Sequence, residues 1–174
     1  KGTANLSAVY VSPSSDQSGA IIPSSLGSAD FTNGIAAIIT AKYNKWGRIK
    51  IKVTEALDAS RYGESQEIMF LPKDFLVSLS TPPKSRSFYY KDEEFTATIT
   101  ARDQDNNTVN NYQGSLELSS SERSISTTYT YLPADSGTHS FTISISSAGK
   151  LTLTAKDRTY TSVTGSSIEF EIKE

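Results

Sequence analysis

The feature that most constrains this chain is the alternation of apolar and polar residues over short segments. In the stretch 94–101, Phe95, Ala97, Ile99 and Ala101 fall on one face, and acidic or hydroxyl side chains fall on the other. Alternation at period 2 predicts β-strands that bury one face, and it favours antiparallel sheets whose other face meets water. Stretches with a 3.6-residue period are scarce, so the sequence predicts an all-β protein.

Seven predicted strands fill the second half of the chain, separated by turn-forming residues such as Pro82 and Pro83. They span residues 75–80, 94–101, 115–118, 129–131, 141–145, 151–155 and 168–172. Short strands at a spacing of roughly 8–12 residues are typical of an antiparallel β-sandwich. Within this sandwich, the alternation predicts that Leu151 and Leu153 point into the core.

The first half repeats part of the second half at a constant offset of 102 positions. Residues 46–53 (WGRIKIKV) align with residues 148–155 (AGKLTLTA). We therefore predict two units, residues 1–73 and residues 74–174, joined by a short link that contains Pro72. By the same alternation, the side chains expected in the first core are Ile49, Ile51 and Val53.

The first unit is expected to be a partial or short sandwich, and the second a complete one. The first unit shows no counterpart of the predicted strands 75–80 and 94–101. Missing strands leave sheet edges unpaired and apolar side chains partly uncovered. The residues expected to be affected are Val9, Val11, Ile38 and Ile51. Three remedies stay open: strands that precede Lys1 in a longer protein, a strand borrowed from a neighbouring molecule, or a smaller closed topology.

Composition excludes several functional classes. The 174 residues contain no cysteine and one histidine, and the formal net charge is −2. Disulfides, cysteine-based metal centres, cysteine nucleophiles and mechanisms that need two histidines are therefore ruled out. No stretch approaches the roughly 18 apolar residues of a transmembrane helix, so we expect no membrane insertion. Because Lys1 opens the chain without a signal peptide, we expect a mature or excised fragment.

Short motifs in both halves carry a family resemblance. The second half contains TARD, NNTV, YQG and SGTHSF at positions 100, 106, 112 and 136, and the first half contains TNGIA and WG at positions 32 and 46. These motifs resemble the bacterial immunoglobulin-like repeats of cell-surface proteins, of the invasin and intimin type, with a filamin-like Gly-x-His-x-Phe. One departure is Asn106, which stands where such repeats often carry glycine; asparagine tolerates a left-handed backbone, so we expect the turn to survive.

The resemblance implies tandem immunoglobulin-like antiparallel β-sandwiches in an extracellular, cell-surface protein. The implied function is a non-catalytic structural spacer or adhesion module of an exported bacterial protein. Its partners would be neighbouring immunoglobulin-like domains of the same chain and a host or cell-surface glycan or protein. Two alternatives stay open: a carbohydrate-binding accessory module of a secreted polysaccharide-degrading enzyme, and a filament subunit that self-assembles by strand exchange through an open sheet edge.

One surface is a candidate ligand-binding site. Three basic residues share a parity opposite to the apolar face, and two aromatic residues precede them in the sequence. The candidate residues are Tyr43, Trp46, Arg48, Lys50 and Lys52. An aromatic ring beside a basic stripe can stack on a sugar and hold an anion, and we expect an anionic glycan rather than nucleic acid. The alternative is an ordinary charged outer face; a planar row of exposed Tyr43, Trp46 and Tyr62 would favour the glycan.

The remaining candidates favour structural roles. His139 is expected to be a strand histidine rather than a catalytic base, because a base needs a positioned nucleophile and an orienting carboxylate. Asp103, Asp105 and Asn107 alternate like the first ligands of a calcium loop, but Gly114 stands where the closing glutamate belongs. Turn-forming side chains that bond their own backbone explain this loop more simply. We therefore expect no enzyme activity, no cofactor and no metal.

Overall fold

A computed structural model describes residues 2–13, 19–36, 40–121 and 125–174. Backbone contacts divide the chain into two compact units, Lys1–Leu71 (unit 1) and Pro72–Glu174 (unit 2). The helical segments in the described ranges are single 3₁₀ turns, at Ser28–Asp30, Pro83–Ser85 and Pro133–Asp135. The predicted all-β class is confirmed. Within these ranges, no helix has the length and apolar character needed to cross a membrane.

Unit 1 is built around one antiparallel sheet. Its described strands are β1 (Ala4–Ser12), β2 (Ile21–Ile22), β3 (Ser25–Leu26), β4 (Phe31–Thr32), β5 (Ile35–Ala36), β6 (Lys42–Tyr43), β7 (Gly47–Glu55), β8 (Tyr62–Glu64) and β9 (Ile68–Phe70). The sheet has the order β3-β1-β7-β8, and β9 pairs with the first part of β7. The remaining strands form two short ribbons, β2-β6 and β4-β5.

The core of unit 1 lies on one face of this sheet, called here the inner face. Ile21, Tyr43 and Ile49 are buried, which confirms the prediction for Ile49. The partly buried residues packed against them are Leu6, Ala8, Tyr10, Ala41, Ile51 and Phe70. Val53 was expected in the core but is 38% exposed. The reason is that its end of the inner face opens onto a groove instead of a second layer.

The four side chains expected to be partly uncovered behave differently from one another. Val11 is exposed, and Ile51 is partly buried at the edge of the core. Val9 is also partly buried, but it pairs with Lys50 and therefore lies on the outer face. Ile38 lies outside the described residues.

Unit 2 is a two-layered sandwich of the immunoglobulin-like type, in which the strand pairs are antiparallel except for one parallel pair. Its described strands are β10 (Asp74–Leu79), β11 (Tyr89–Tyr90), β12 (Phe95–Arg102), β13 (Ser115–Ser120), β14 (Ser126–Thr130), β15 (Thr138–Ile143), β16 (Gly149–Leu151), β17 (Leu153–Asp157), β18 (Thr164–Ser166) and β19 (Phe170–Lys173). One layer has the order β10-β12-β15. The opposite layer contains the orders β14-β13-β17-β18 and β11-β19-β16. Two strands of this layer are interrupted: Thr152 separates β16 from β17, and residues 167–169 separate β18 from β19.

The core of unit 2 fills the space between these layers. The alternation in β12 is realised as predicted, because Ala97, Ile99 and Ala101 are fully buried. Leu151 and Leu153 are buried as well, at 2% and 0% exposure, which confirms their predicted orientation. Two strands, β11 and β18, were not predicted, since segments of two or three residues show no periodicity. The turn at Asn106 survives with φ of 65°, as expected.

The two units share their strand registers at the 102-position offset. In unit 1, Lys52, Val53 and Thr54 of β7 pair with Glu64, Gly63 and Tyr62. In unit 2, Thr154, Ala155 and Lys156 of β17 pair with Ser166, Gly165 and Thr164. The pairs β7-β9 and β16-β19 correspond in the same way. The central sheet of unit 1 is therefore the counterpart of one layer of unit 2.

The neighbouring strands extend this correspondence. β1 pairs with β7 as β13 pairs with β17, so that Leu6 takes the place of Leu118. β3 then occupies the place of β14. In the described residues of unit 1, no strand takes the place of β10 or β12. As far as its described residues go, unit 1 therefore has one layer of the sandwich without these two strands of the other.

Candidate ligand-binding surfaces

The predicted basic stripe lies on the outer face of β7, where the cross-strand neighbours carry the opposite charge. Arg48 forms an ion pair with Glu67, with 3.4 Å between nitrogen and oxygen. Lys50 lies 3.7 Å from a carboxylate oxygen of Glu64. The ammonium group of Lys52 lies 4.0 Å from the centroid of the Tyr62 ring, a cation–π contact.

These contacts decide what the stripe can do. Two of its three positive charges have acidic partners on the same face, so the local field is weaker than the basic residues alone suggest. Exposed ion pairs of this kind contribute about 0–1 kcal/mol each to stability. The arrangement suits a hydrated outer sheet face, and Lys52 over Tyr62 is the part that presents a cation beside an exposed ring.

The two aromatic residues of the candidate site are not both at the surface. Tyr43 is 9% exposed and belongs to the core, where its hydroxyl donates to the hydroxyl oxygen of Tyr10 at 2.6 Å. Its ring also meets Phe70 edge to face, with 4.9 Å between ring centroids. Trp46 is half-buried, whereas Tyr62 is 60% exposed. The planar row of exposed rings that would favour a glycan is therefore not formed.

His139 lies on β15 in a cluster of polar and aromatic side chains. Its ring stacks on Tyr129 with 3.5 Å between centroids, and Nδ1 lies 3.2 Å from a carboxylate oxygen of Asp135. The same carboxylate accepts the Tyr129 hydroxyl at 2.9 Å and the Leu132 N–H at 2.7 Å. Burial by itself raises the pKa of Asp135, but these hydrogen bonds hold it below its ordinary value. The carboxylate thus ties the 3₁₀ turn to β14 and β15.

The loop 103–107 uses its acidic oxygens on its own backbone. One carboxylate oxygen of Asp103 accepts the N–H groups of Asp105 and Asn107, at 2.9 and 2.8 Å. The other accepts the Asn107 amide at 3.3 Å. These are the bonds between turn-forming side chains and their own backbone that the sequence predicts for this loop. Among the described residues, no group of three or more acidic or histidine side chains is placed to hold a metal ion.

A further surface was not singled out from the sequence. A groove of about 840 Å³ runs along the inner face of unit 1, between the sheet and the β4-β5 ribbon. Its lining includes Ala4, Phe31, Val53, Glu55 and Gly63. The sequence signal that could have indicated this groove is the absence, in residues 1–73, of segments that match the predicted strands 75–80 and 94–101. We call this surface the unit 1 groove.

Strand order and core together define an all-β protein with immunoglobulin-like architecture. The profile of the family described as "DUF6701, third domain" matches residues 51–174. Since this match covers more than half of the chain, the protein belongs to that family. No curated protein sequence matches the chain.

Three solved structures resemble the chain at low identity. The D0-D1 domain of intimin is 14% identical, with 99% of this chain and 82% of that chain covered and a TM-score of 0.39. Domains 4 and 5 of the S-layer protein SbsC are 16% identical, with coverages of 74% and 59% and a TM-score of 0.40. A glycosyl hydrolase family 2 member from Bacteroides cellulosilyticus is 10% identical, with coverages of 100% and 29% and a TM-score of 0.41. The similarity to the invasin and intimin family therefore remains a resemblance and does not show that the chain belongs to that family.

Proposed function

We propose that this protein is a non-catalytic structural module of an exported bacterial surface protein, in which unit 2 transmits force along the chain. The support for export is the resemblance of its motifs to the repeats of bacterial cell-surface proteins. The neighbouring domains of the same polypeptide would be its mechanical partners.

The observation that carries this proposal is the parallel pairing between β11 and β19. Tyr89 pairs with Ile172, and Tyr90 pairs with Lys173. The Lys91 N–H extends the contact by donating to the Lys173 carbonyl at 2.7 Å. The first part of unit 2 thus crosses from one layer to the other, and it ends beside the last strand.

Parallel pairing determines how the strands respond to pulling. Force applied before β10 and after β19 draws β11 towards its own beginning and β19 towards its own end. These directions are opposite along parallel strands, so the hydrogen bonds are loaded together in shear instead of being opened one at a time. A second contact protects the beginning of the unit, where Arg102 forms two hydrogen bonds to the Asp74 carboxylate, at 2.8 and 2.9 Å.

Single-molecule force spectroscopy of the full chain tests the proposal. Unfolding of unit 2 is identified by the release of roughly 35 nm of chain, at about 3.5 Å for each extended residue. Lys91→Pro removes the N–H that bonds Lys173, and we expect a lower unfolding force for unit 2. The equilibrium stability should fall by only about 1 kcal/mol, the usual contribution of one hydrogen bond.

The matched control is Lys91→Ala, which keeps the N–H. Both variants lose the ion pair between Lys91 and Glu174, so the difference between them isolates the backbone contact. An unfolding force that is unchanged in Lys91→Pro would contradict the role of the β11-β19 pairing. Unit 2 unfolding at the low force of an unzipped sheet would contradict the proposed function itself.

A further inference from the structure

The unit 1 groove contains two glycines, Gly34 and Gly63, that none of the described residues covers. Gly63 lies on β8 with its inner side in open space, because a Cβ built there would meet no atom within 4 Å. Gly34, in the turn between β4 and β5, is equally open. Both line the groove. The positive φ of Gly34, 79°, is a reason for glycine in that turn, but the extended strand at Gly63 gives no such reason.

The corresponding glycines of unit 2 are covered by backbone. Gly165 takes the place of Gly63 in the shared register, and a Cβ there would clash with the backbone of Phe75 in β10. Gly137 follows a left-handed residue in a turn, as Gly34 does. A Cβ at Gly137 would clash with the backbone carbonyl of Val109. In unit 2, glycine is therefore required where the segment 72–114 crosses the inner face.

A third position shows the same relation. Asp157 is buried in unit 2 and accepts the hydroxyl of Tyr112 at 2.6 Å. Tyr112 also belongs to the segment 72–114, and burial raises the pKa of its hydroxyl, which keeps it a donor. The counterpart of Asp157 in unit 1 is Glu55, which lines the groove and has an exposed arginine, Arg61, at 3.6 Å.

From these positions we propose that the unit 1 groove is the docking site of a β-strand segment that belongs to a partner protein. The segment has the chemistry of 72–114: apolar side chains at alternate positions, whose backbone passes over Gly63, and a hydroxyl donor near Glu55. This surface goes beyond the force-transmitting function proposed for unit 2. Docking would cover Val53, which is 38% exposed, as Ala155 is covered at the corresponding position of unit 2.

The kind of occupant is inferred from unit 2, where the backbone of an extended strand, β10, lies against the glycine that corresponds to Gly63. A small ligand would not explain an extended-strand glycine, since close approach of a backbone is what excludes a Cβ. A second copy of this chain is also disfavoured, because its own β10 and β12 are already buried in its unit 2. A separate extended segment satisfies both conditions.

The test attaches a probe to the full chain. A second copy of residues 72–114 is fused ahead of residue 1 through a flexible linker, which raises its effective concentration at unit 1 to the millimolar range. Trp46 is the single tryptophan and lies in unit 1, so its fluorescence follows the melting of that unit. We expect the fused segment to raise this melting temperature by about 4 °C or more.

Two valine variants give the control. Gly63→Val fills the space over which the segment must pass, so the gain in melting temperature should disappear. Ser7→Val places the same side chain on the outer face of β1, and the gain should persist. A fused chain that melts like the unfused one, or a gain that survives Gly63→Val, would overturn the proposal. Dimers of the unfused chain that dissociate on Gly63→Val would show that the occupant is a second copy instead.

Discussion

Unit 1 and unit 2 each contain a sheet with the same strand pairing, but the inner face of that sheet is covered differently in the two units. In unit 2 the inner face is closed by β10 and β12, and Leu118 and Ala155 are fully buried. Their counterparts in unit 1 are Leu6, which is half-buried, and Val53, which is 38% exposed. Both sheets nevertheless keep one register. Local pairing and turn chemistry thus determine the register of a sheet, whereas burial of its inner face depends on segments elsewhere in the polypeptide.

The largest difference between the units is expected when the two corresponding glycines, Gly165 and Gly63, are each replaced by valine. Gly165→Val would place a side chain on the backbone of Phe75, so β10 would have to move. We expect the free energy of unfolding of unit 2 to fall by about 3 kcal/mol or more, beyond ordinary overpacking of a core. Gly63→Val meets open space on a strand that favours valine. Unit 1 should therefore change by less than about 1 kcal/mol.

Denaturant titration with a separate probe for each unit measures this difference. Trp46 fluorescence follows unit 1, and the NMR signal of His139, the single histidine, follows unit 2. Equal losses in the two variants would show that Gly63 is covered as Gly165 is.

A smaller difference is expected between Leu153→Ala and Ile51→Ala, which are equivalent at the 102-position offset. Leu153 is fully buried, so its truncation should cost unit 2 about 2–5 kcal/mol, as in other cores. Ile51 is only partly buried, and its truncation should cost unit 1 about half as much. The same two probes give both values. A loss below about 0.5 kcal/mol for Leu153→Ala would mean that its side chain does not face the core.

Much of the fold could be predicted because its strands are long enough to show a period. The alternation in β12 and the shared apolar–polar pattern of residues 46–53 and 148–155, which have one glycine in common, indicated the strands, their inner faces and the offset between units. The deficit predicted for unit 1 concerns the strands β10 and β12, which have no counterpart among its described residues. Val53 was assigned to the core because its parity is correct; parity identifies a face but not whether a second layer covers it.

The candidate site was less predictable for a related reason. Tyr43 lies in a two-residue strand, so no periodicity indicates that its ring turns inward to Tyr10 and Phe70. The basic stripe was assigned to the correct face, but the acidic partners of Arg48 and Lys50 come from residues 64 and 67, whose pairing with β7 is a tertiary contact. Tyr89 and Tyr90 were missed as a strand because parallel pairing with β19 leaves no local signal.

The smallest effect we predict concerns one aspartate in each unit. Asp30 accepts the Gly27 N–H at 2.7 Å, and Asp135 accepts the Leu132 N–H at the same distance. Asp135 has two further partners, Tyr129 and His139, which Asp30 lacks among the contacts of the described residues. The two turns therefore share one backbone contact and differ in their side-chain partners.

The pH dependence of stability should follow this difference. Burial alone raises the pKa of Asp135, but its hydrogen bonds leave the pKa below the unfolded value. A carboxylate whose folded pKa is depressed stabilises the fold above its unfolded pKa, and this contribution disappears as the pH falls through the folded pKa. Asp135→Asn should therefore destabilise unit 2 by about 1 kcal/mol at pH 7, and the difference from the unmodified chain should shrink as the pH falls below 3.8, the ordinary pKa of aspartate. Asp30→Asn, the matched variant in unit 1, should show a smaller loss.

Urea titrations at pH 7, 5 and 3, followed by far-ultraviolet circular dichroism and Trp46 fluorescence, measure both losses. A loss in Asp135→Asn that is the same at pH 7 and pH 3 would assign the effect to packing instead of charge.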